Sequence, residues 1–182
     1  MKEYYRVQAN INLDAIYDNV KAAKSLTKED TKLMAKIKAD AYGHGAVKVA
    51  ETLDDIADAY GVAILEEGIE LRQAGVTKPI LILGYTPAPL YEAMINYDIT
   101  TAVFKYDMAE EISNTAVRLG KKAKIHIKLD TGMNRIGLQP KKAIEFIKKV
   151  QSISQIGLSF SSDPYALDNY KELKELSLEM LH

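Results

Sequence analysis

Two stretches hold residues whose types and spacing could do chemistry. In AKIKADAYGHG, residues 35–45, Lys38 closes an apolar run and is followed by Tyr42, Gly43 and Gly45 before the next helix. A lysine in that place is either a solvated charge at a strand end, with the glycines shaping a turn, or a nucleophilic amine. A free lysine with a pKa near 10.4 is neutral in only about one molecule in a few thousand at pH 7, so a Schiff-base lysine needs burial or a neighbouring cation. Lys36 offers such a cation. In IHIKLDTGMNRIG, residues 125–137, Lys128, Asp130 and Arg135 surround Thr131 and Gly132. The plain reading is a strand entering a glycine turn, with Arg135 paired to an acid. The chemical reading is a guanidinium at a strand end that holds a carboxylate or a cofactor oxygen with a planar fork lysine cannot imitate.

Other polar residues read as less chemical. The three histidines are His44, His126 and His182, and no two fall on one helical face, so no metal is expected. His44 reads as part of the turn after Lys38, and His126 as an inward group on the strand of Lys128. Asp54, Asp55, Glu66 and Glu67 read as solvated helix faces rather than paired catalytic acids.

These residues must be positioned by alternating strands and helices. An extended stretch from Tyr5 to Leu13 precedes a helix over Asp14–Leu26, with Ile16, Val20 and Ala23 at helical spacing. Six short β-branched runs follow as strand candidates: KLMAKIKA, AYGVAI, KPILILG, ITTAVF, KAKIHIKL and SQIGLSF. Helix stripes lie between and after them, such as Met108, Ile112, Ala116 and Leu119 before Gly120, or Ala143, Ile144, Ile147 and Val150. A last stripe runs Tyr170, Leu173, Leu176 and Met180. Gly75 and Gly120 read as left-handed caps. Such short connections require a parallel sheet with right-handed crossovers.

An open doubly wound sheet and a β/α barrel compete as closures. Strand chemistry favours the barrel: Leu33, Ala35 and Ile37 alternate with Lys36, Lys38 and Asp40, and Ile125, Ile127 and Leu129 alternate with His126, Lys128 and Asp130. The apolar sets would face helices and the polar sets the barrel mouth. At roughly 31 residues per unit, 182 residues supply about six of eight units. The expected fold is therefore α/β of (β/α)8 TIM-barrel type, incomplete, with about six parallel strands. A six-stranded open sheet is the alternative.

Composition narrows the partners. With 24 Lys+Arg against 25 Asp+Glu and no basic run, the chain has no electrostatic footprint for nucleic acid or a membrane surface. The absence of cysteine removes disulfides and thiolate chemistry and suggests a reducing compartment. No signal peptide or long apolar run is evident, so the expectation is a cytoplasmic protein.

The two motifs together resemble the alanine racemase family, fold-type III enzymes that use pyridoxal phosphate. The likeness extends through INLDAIYDNV, the lysine motif, GVAILEEGIELRQAGVTKPILILGYT and KLDTGMNRIG, over nearly all of residues 6–150. It implies that Lys38 forms the Schiff base with the cofactor and exchanges a proton at the substrate α-carbon. It implies that Tyr42 lies at the cofactor phosphate and that Arg135 lies beside the phenolic oxygen and the substrate carboxylate. Lys128 matches a lysine that is often carbamylated and positions that arginine. Lys38, Arg135 and Lys128 are thus the expected catalytic residues, and Lys38, Tyr42 and Arg135 the expected cofactor ligands.

The implied activity is the interconversion of L-alanine and D-alanine, which supplies D-alanine for cell-wall synthesis in the family, with a homodimer expected for the complete enzyme. The chain departs from the family in three ways. GLSFSSD stands where a Thr-His-Phe stretch is usual, so Phe160 rather than a histidine would stack on the cofactor. Lys36 replaces an apolar residue. The further phosphate-site stretch and the carboxy-terminal β domain with its opposite-face base do not occur in residues 1–182. The expectation is an amino-terminal barrel portion, inactive alone, because racemisation needs an acid/base on each face of the α-carbon. A non-catalytic pyridoxal phosphate-binding module of the same fold is the alternative, and a truncated product that associates through exposed strand edges a third possibility.

Overall fold

Asn12 opens the first helix. Its extended backbone and its side-chain oxygen, which accepts from the Ala15 N–H at 3.0 Å, cap α1, Leu13–Ser25. The helix begins one residue before the expected Asp14. It buries none of its residues fully, and Ala23, expected on its apolar stripe, is exposed. Its Tyr17 hydroxyl donates to Asp55 Oδ2 at 2.8 Å, so Asp55 is engaged rather than merely solvated.

The computed structural model describes residues 9–149. SQIGLSF, the stripe from Tyr170 to Met180, Phe160, His182, Val150 and the stretch from Tyr5 through Gln8 lie outside the described residues. The chain forms two compact units that divide between Ile80 and Leu81. In the first unit, α1 is followed by β1 (Met34–Lys36), α2 (Lys38–Gly43), α3 (Ala46–Thr52), β2 (Ala59–Val62) and α4 (Leu65–Gln73). β1 runs parallel to β2, with Ala35 opposite Tyr60. Val49, Leu53, Tyr60, Val62, Leu65 and Leu71 are buried between these elements. Tyr60 satisfies its buried hydroxyl by donating to the Ala50 carbonyl at 2.8 Å, and burial pushes that hydroxyl up to about 12. The turn after α4 is fastened by the Arg72 guanidinium, which donates to the carbonyls of Val76 and Lys78, and Gly75 within it takes a φ of 94°.

The division falls within β3 (Ile80–Ile82), and the second unit carries the pattern onward through a 3-10 turn at Ala88–Leu90, α5 (Tyr91–Asn96), β4 (Thr100–Val103), α6 (Tyr106–Leu119) and β5 (Ile125–Ile127). β4 pairs in parallel with both β3 and β5. All residues of β3 and β4 are buried, as expected for parallel strands covered on both faces. Within this packing the Thr86 and Thr101 hydroxyls share a hydrogen bond of 2.7 Å. α6 buries Met108, Ile112 and Ala116 and stops at Gly120, whose φ of 61° and ψ of 32° make it the expected left-handed cap.

Strand order follows chain order from β1 to β5, giving the α/β class with five strands among the described residues. Two details differ from the sequence expectation. In the helix over residues 140–149, Ala143, Phe146 and Ile147 are buried while Ile144 is 59% exposed, because Phe146 and not Ile144 completes the inward stripe. β1 ends at Lys36, so the strand alternation does not extend to Lys38 and Asp40, which belong to a turn of different geometry.

Candidate active site

Lys38 begins that turn. Just before it, buried Ile37 is tied to the sheet through its N–H, which donates to the Gly61 carbonyl at 2.9 Å. Ala39, Asp40, Ala41 and Tyr42 then take φ values of 50°, 52°, 52° and 57°, so α2 is one turn of left-handed helix made without glycine. Left-handed backbone costs an L-residue about 1–2 kcal/mol, and such conformations persist only where surrounding bonds enforce them. Those bonds are present. The Ala41 N–H donates to the Ile37 carbonyl, Gly45 N–H to the Asp40 carbonyl, and Ala46 N–H to Asp40 Oδ1 at 2.6 Å. His44 Nδ1 lies 2.8 Å from the Ala41 carbonyl, in the turn-shaping role expected of it. Gly43 continues the positive-φ run at 84°, and beyond His44 at −96° Gly45 returns to positive φ at 88°.

The turn brings Lys38 and Tyr42 together. Lys38 is half-buried, its Nζ 5.8 Å from the centroid of the Tyr42 ring, and Tyr42 is 59% exposed. Lys36 is exposed on β1.

The second unit holds the other expected residues in a closed loop. The Lys128 N–H donates to Val103, Leu138 N–H donates to Lys128, and Asp130 N–H donates to Leu138, each at 2.8 Å, so the loop is pinned at its base. Asp130 is 8% exposed, and its Oδ1 accepts from the Asn134 and Gly132 N–H groups at 3.0 Å. Those amide bonds, Asn134 first, hold its carboxyl below the usual carboxylate range against the opposing effect of burial. Asn134 sits in the left-handed region at φ 55°. Gly137, at φ 141°, has no room for a side chain, since a Cβ there would lie 2.6 Å from the Asp130 nitrogen.

This loop presents Arg135 on its exposed side. No acid pairs with Arg135 among the described residues. Lys128 is half-buried and its Nζ donates to the Leu83 carbonyl at 3.1 Å. His126, on β5, is exposed.

Sequence reasoning missed one acid. Glu67, read as part of a solvated face, is half-buried, and its two oxygens accept from the Ala39 N–H at 2.8 Å and the Ala63 N–H at 2.6 Å. A glutamate at the third position of a helix commonly reaches back to the amide of the cap residue, here Ile64, so a carboxylate turned toward the start of α4 was legible in sequence, although its bond falls one residue earlier, on Ala63. The Ala39 bond, from a residue 28 positions away, was not.

The family model of the alanine racemase N-terminal domain matches residues 11–161. An alanine racemase of Clostridium perfringens is 47% identical over 151 residues, covering 82% of this chain and 38% of that relative. The chain belongs to the alanine racemase family. A solved alanine racemase of Clostridium difficile 630 superposes with a TM-score of 0.77 at 37% identity, over 94% of this chain and 48% of that one. A histidine racemase of Leuconostoc mesenteroides gives a TM-score of 0.71 at 28% identity, over 77% of this chain and 38% of that one. The likeness to these racemases supports the incomplete-barrel reading of the parallel strands over the open-sheet alternative. The chain thus spans 38% of the length of the curated relative, well under half. A second model, for a UDP-X-like N-terminal oligomerisation domain, matches residues 141–182.

Proposed function

We propose that this chain holds pyridoxal 5'-phosphate and forms the lysine-bearing part of an alanine racemase-type isomerase. The observation that carries the reading is Lys38 itself, half-buried just past β1 and fixed by a left-handed turn in a chain of this family. By residue chemistry each unit offers groups suited to the cofactor: in the first, Lys38 a primary amine for its aldehyde and Tyr42 a phenol for its phosphate; in the second, Arg135, with no acid partner among the described residues, a guanidinium for its phenolic oxygen. When bound, pyridoxal phosphate acidifies the hydrogen on an amino acid's α-carbon by delocalising the resulting charge.

The residues of the chain supply orientation and proton handling. Lys38 holds the cofactor and moves a proton at one face of the α-carbon. Arg135 presents a planar fork to the substrate carboxylate, and the Asp130-ordered loop keeps that fork in place. Lys128, half-buried, positions Arg135, and carbamylation would turn it from a cation that repels the guanidinium into an anion that attracts it. Racemisation requires a second acid/base on the opposite face. No residue described here is assigned to it, so the 182-residue chain is expected to exchange the α-proton without yielding D-alanine at enzymatic rates.

The substrate of the whole protein is proposed to be alanine, and its site of action the cytoplasm. No helix among the described residues is long and apolar enough to cross a membrane. Association into a homodimer is proposed for the whole protein.

Incubation with pyridoxal phosphate, borohydride reduction and peptide mapping tests the central residue. A pyridoxyl label on Lys38 is expected. A label on Lys36 or Lys128 with none on Lys38 overturns the assignment. With L-alanine in deuterated water, α-deuteration separates a reactive site from a cofactor-binding module that performs no proton exchange.

A further inference from the structure

We propose that Glu67 is the positioning residue of the lysine turn: one carboxylate fastens the amide that follows Lys38 to the start of α4, and so sets where the Lys38 amine stands. The consequence for Lys38 chemistry rests on the cofactor reading above, whereas the tether does not.

The geometry assigns the two oxygens of Glu67 to different tasks. Glu67 is the third residue of α4, and its Oε2 reaches back to the Ala63 N–H at 2.6 Å. That bond falls one residue before the cap amide of Ile64 that a third-position glutamate ordinarily takes, and the positive end of the helix dipole favours a carboxylate there. Capping does not explain Oε1, which leaves the helix and accepts from the Ala39 N–H at 2.8 Å. Ala39 is the first left-handed residue of α2 and the immediate neighbour of Lys38.

Most other bonds that hold this turn arise within residues 37–46: the Ala41 N–H to Ile37, His44 N–H to Ala41, and Gly45 and Ala46 N–H to Asp40. These bonds stabilise the curl of the turn but not its placement on the scaffold. Placement is set on one side by the Ile37 N–H bond to Gly61 in β2 and on the other by Glu67. Gly61 and Ala63 flank Val62 at the end of β2, so Ile37 and Ala39, on either side of Lys38, are both tied to the exit of that strand. A residue held on both sides has a fixed Cα position, which is what a reacting side chain needs.

Amide hydrogen exchange of the full chain, read by NMR, tests the tether without cofactor. Glutamine at this position offers one acceptor oxygen where glutamate offers two, so Glu67→Gln cannot serve both amides. In Glu67→Gln, exchange at Ala39, Ala41 and His44 is expected to accelerate at least tenfold, with Val49 and Leu53 in and after α3 unchanged. Acceleration at Ala39 alone overturns the proposal, because Glu67 would then satisfy one amide without placing the turn. Should Glu67→Gln lose protection throughout, Glu67→Asp decides. It keeps both acceptors but is one methylene short, so the turn is expected to loosen while the Ala63 amide stays protected; native protection of Ala39, Ala41 and His44 overturns the tether.

Pyridoxyl labelling with pyridoxal phosphate and borohydride then reads the lysine. The rate at Lys38 is expected to fall at least tenfold in the loosened variant. Equal rates in the two proteins, with the turn loosened, overturn the link from tether to amine. No label on Lys38 in the native chain overturns the cofactor reading instead, and the exchange data still decide the tether.

Discussion

Asp130 shows how a residue beside the chemistry can matter by holding backbone. Its carboxylate accepts from the Asn134 and Gly132 amides, and those bonds hold it below the usual carboxylate range. Because the folded value lies below the unfolded one, the stabilisation is fully present above the unfolded pKa and is lost as pH falls through the folded value. Asp130→Asn is therefore expected to flatten the dependence of unfolding free energy on pH below the ordinary carboxylate range, with little change in slope near neutrality. Denaturant unfolding across that range reads it, and an unchanged slope there would sink the assignment. The hydroxyl pair of Thr86 and Thr101, both buried, gives a second test. Thr101→Val strands the Thr86 hydroxyl and should cost about 1–3 kcal/mol. Thr86→Val with Thr101→Val removes both polar groups and is expected to cost less than the single change; a strictly additive cycle, measured by denaturant unfolding, would show the pair to be uncoupled.

At the scale of the element, α2 and the loop over residues 128–138 are both held in conformations that side chains resist. In α2 the strain falls on Ala39, Asp40, Ala41 and Tyr42. Glycine enters left-handed backbone without that penalty, at an entropic cost of about 0.5–1 kcal/mol, so Ala39→Gly is expected to hold or raise Tm where the same change inside an ordinary helix lowers stability. A drop in Tm comparable to that of a mid-helix glycine would argue that the turn is not left-handed in solution. The loop is strained at the other extreme. Gly137→Ala puts a Cβ 2.6 Å from the Asp130 nitrogen and 2.8 Å from the Leu129 carbonyl carbon, both backbone atoms that cannot swing aside. A cost of about 1–3 kcal/mol is expected, with displacement of Arg135 visible as altered chemical shifts along residues 129–138.

Across the whole molecule, the burial of the strands grades from full in β3 and β4 to partial in β1 and β5, the ends of the strand order. Among the described residues these two strands have a neighbour on one side only, and a strand edge left unpaired favours edge-to-edge association. The 182-residue chain is therefore expected to sediment faster as its concentration rises. Sedimentation as a monomer at every concentration would remove the edge argument.

Sequence alone determined the succession of elements. Five of the six expected strands occur where β-branched runs were read, and Gly120 caps α6 as its position required, because hydrophobic spacing and glycine's freedom at positive φ are local properties. It also marked Lys38 and Arg135 as candidates, through residue types that chemistry restricts and a family likeness that spans most of the chain. Only the tertiary structure decided how those residues are held. Ala39, Ala41 and Tyr42 have no intrinsic preference for left-handed backbone, so nothing in their types announced α2. The bond between Glu67 and Ala39 joins residues 28 apart, and the buried state of Asp130 follows from amides that turn toward it only once the loop closes at Lys128 and Leu138. Such placements arise from distant parts of the chain meeting, which periodicity and composition do not encode.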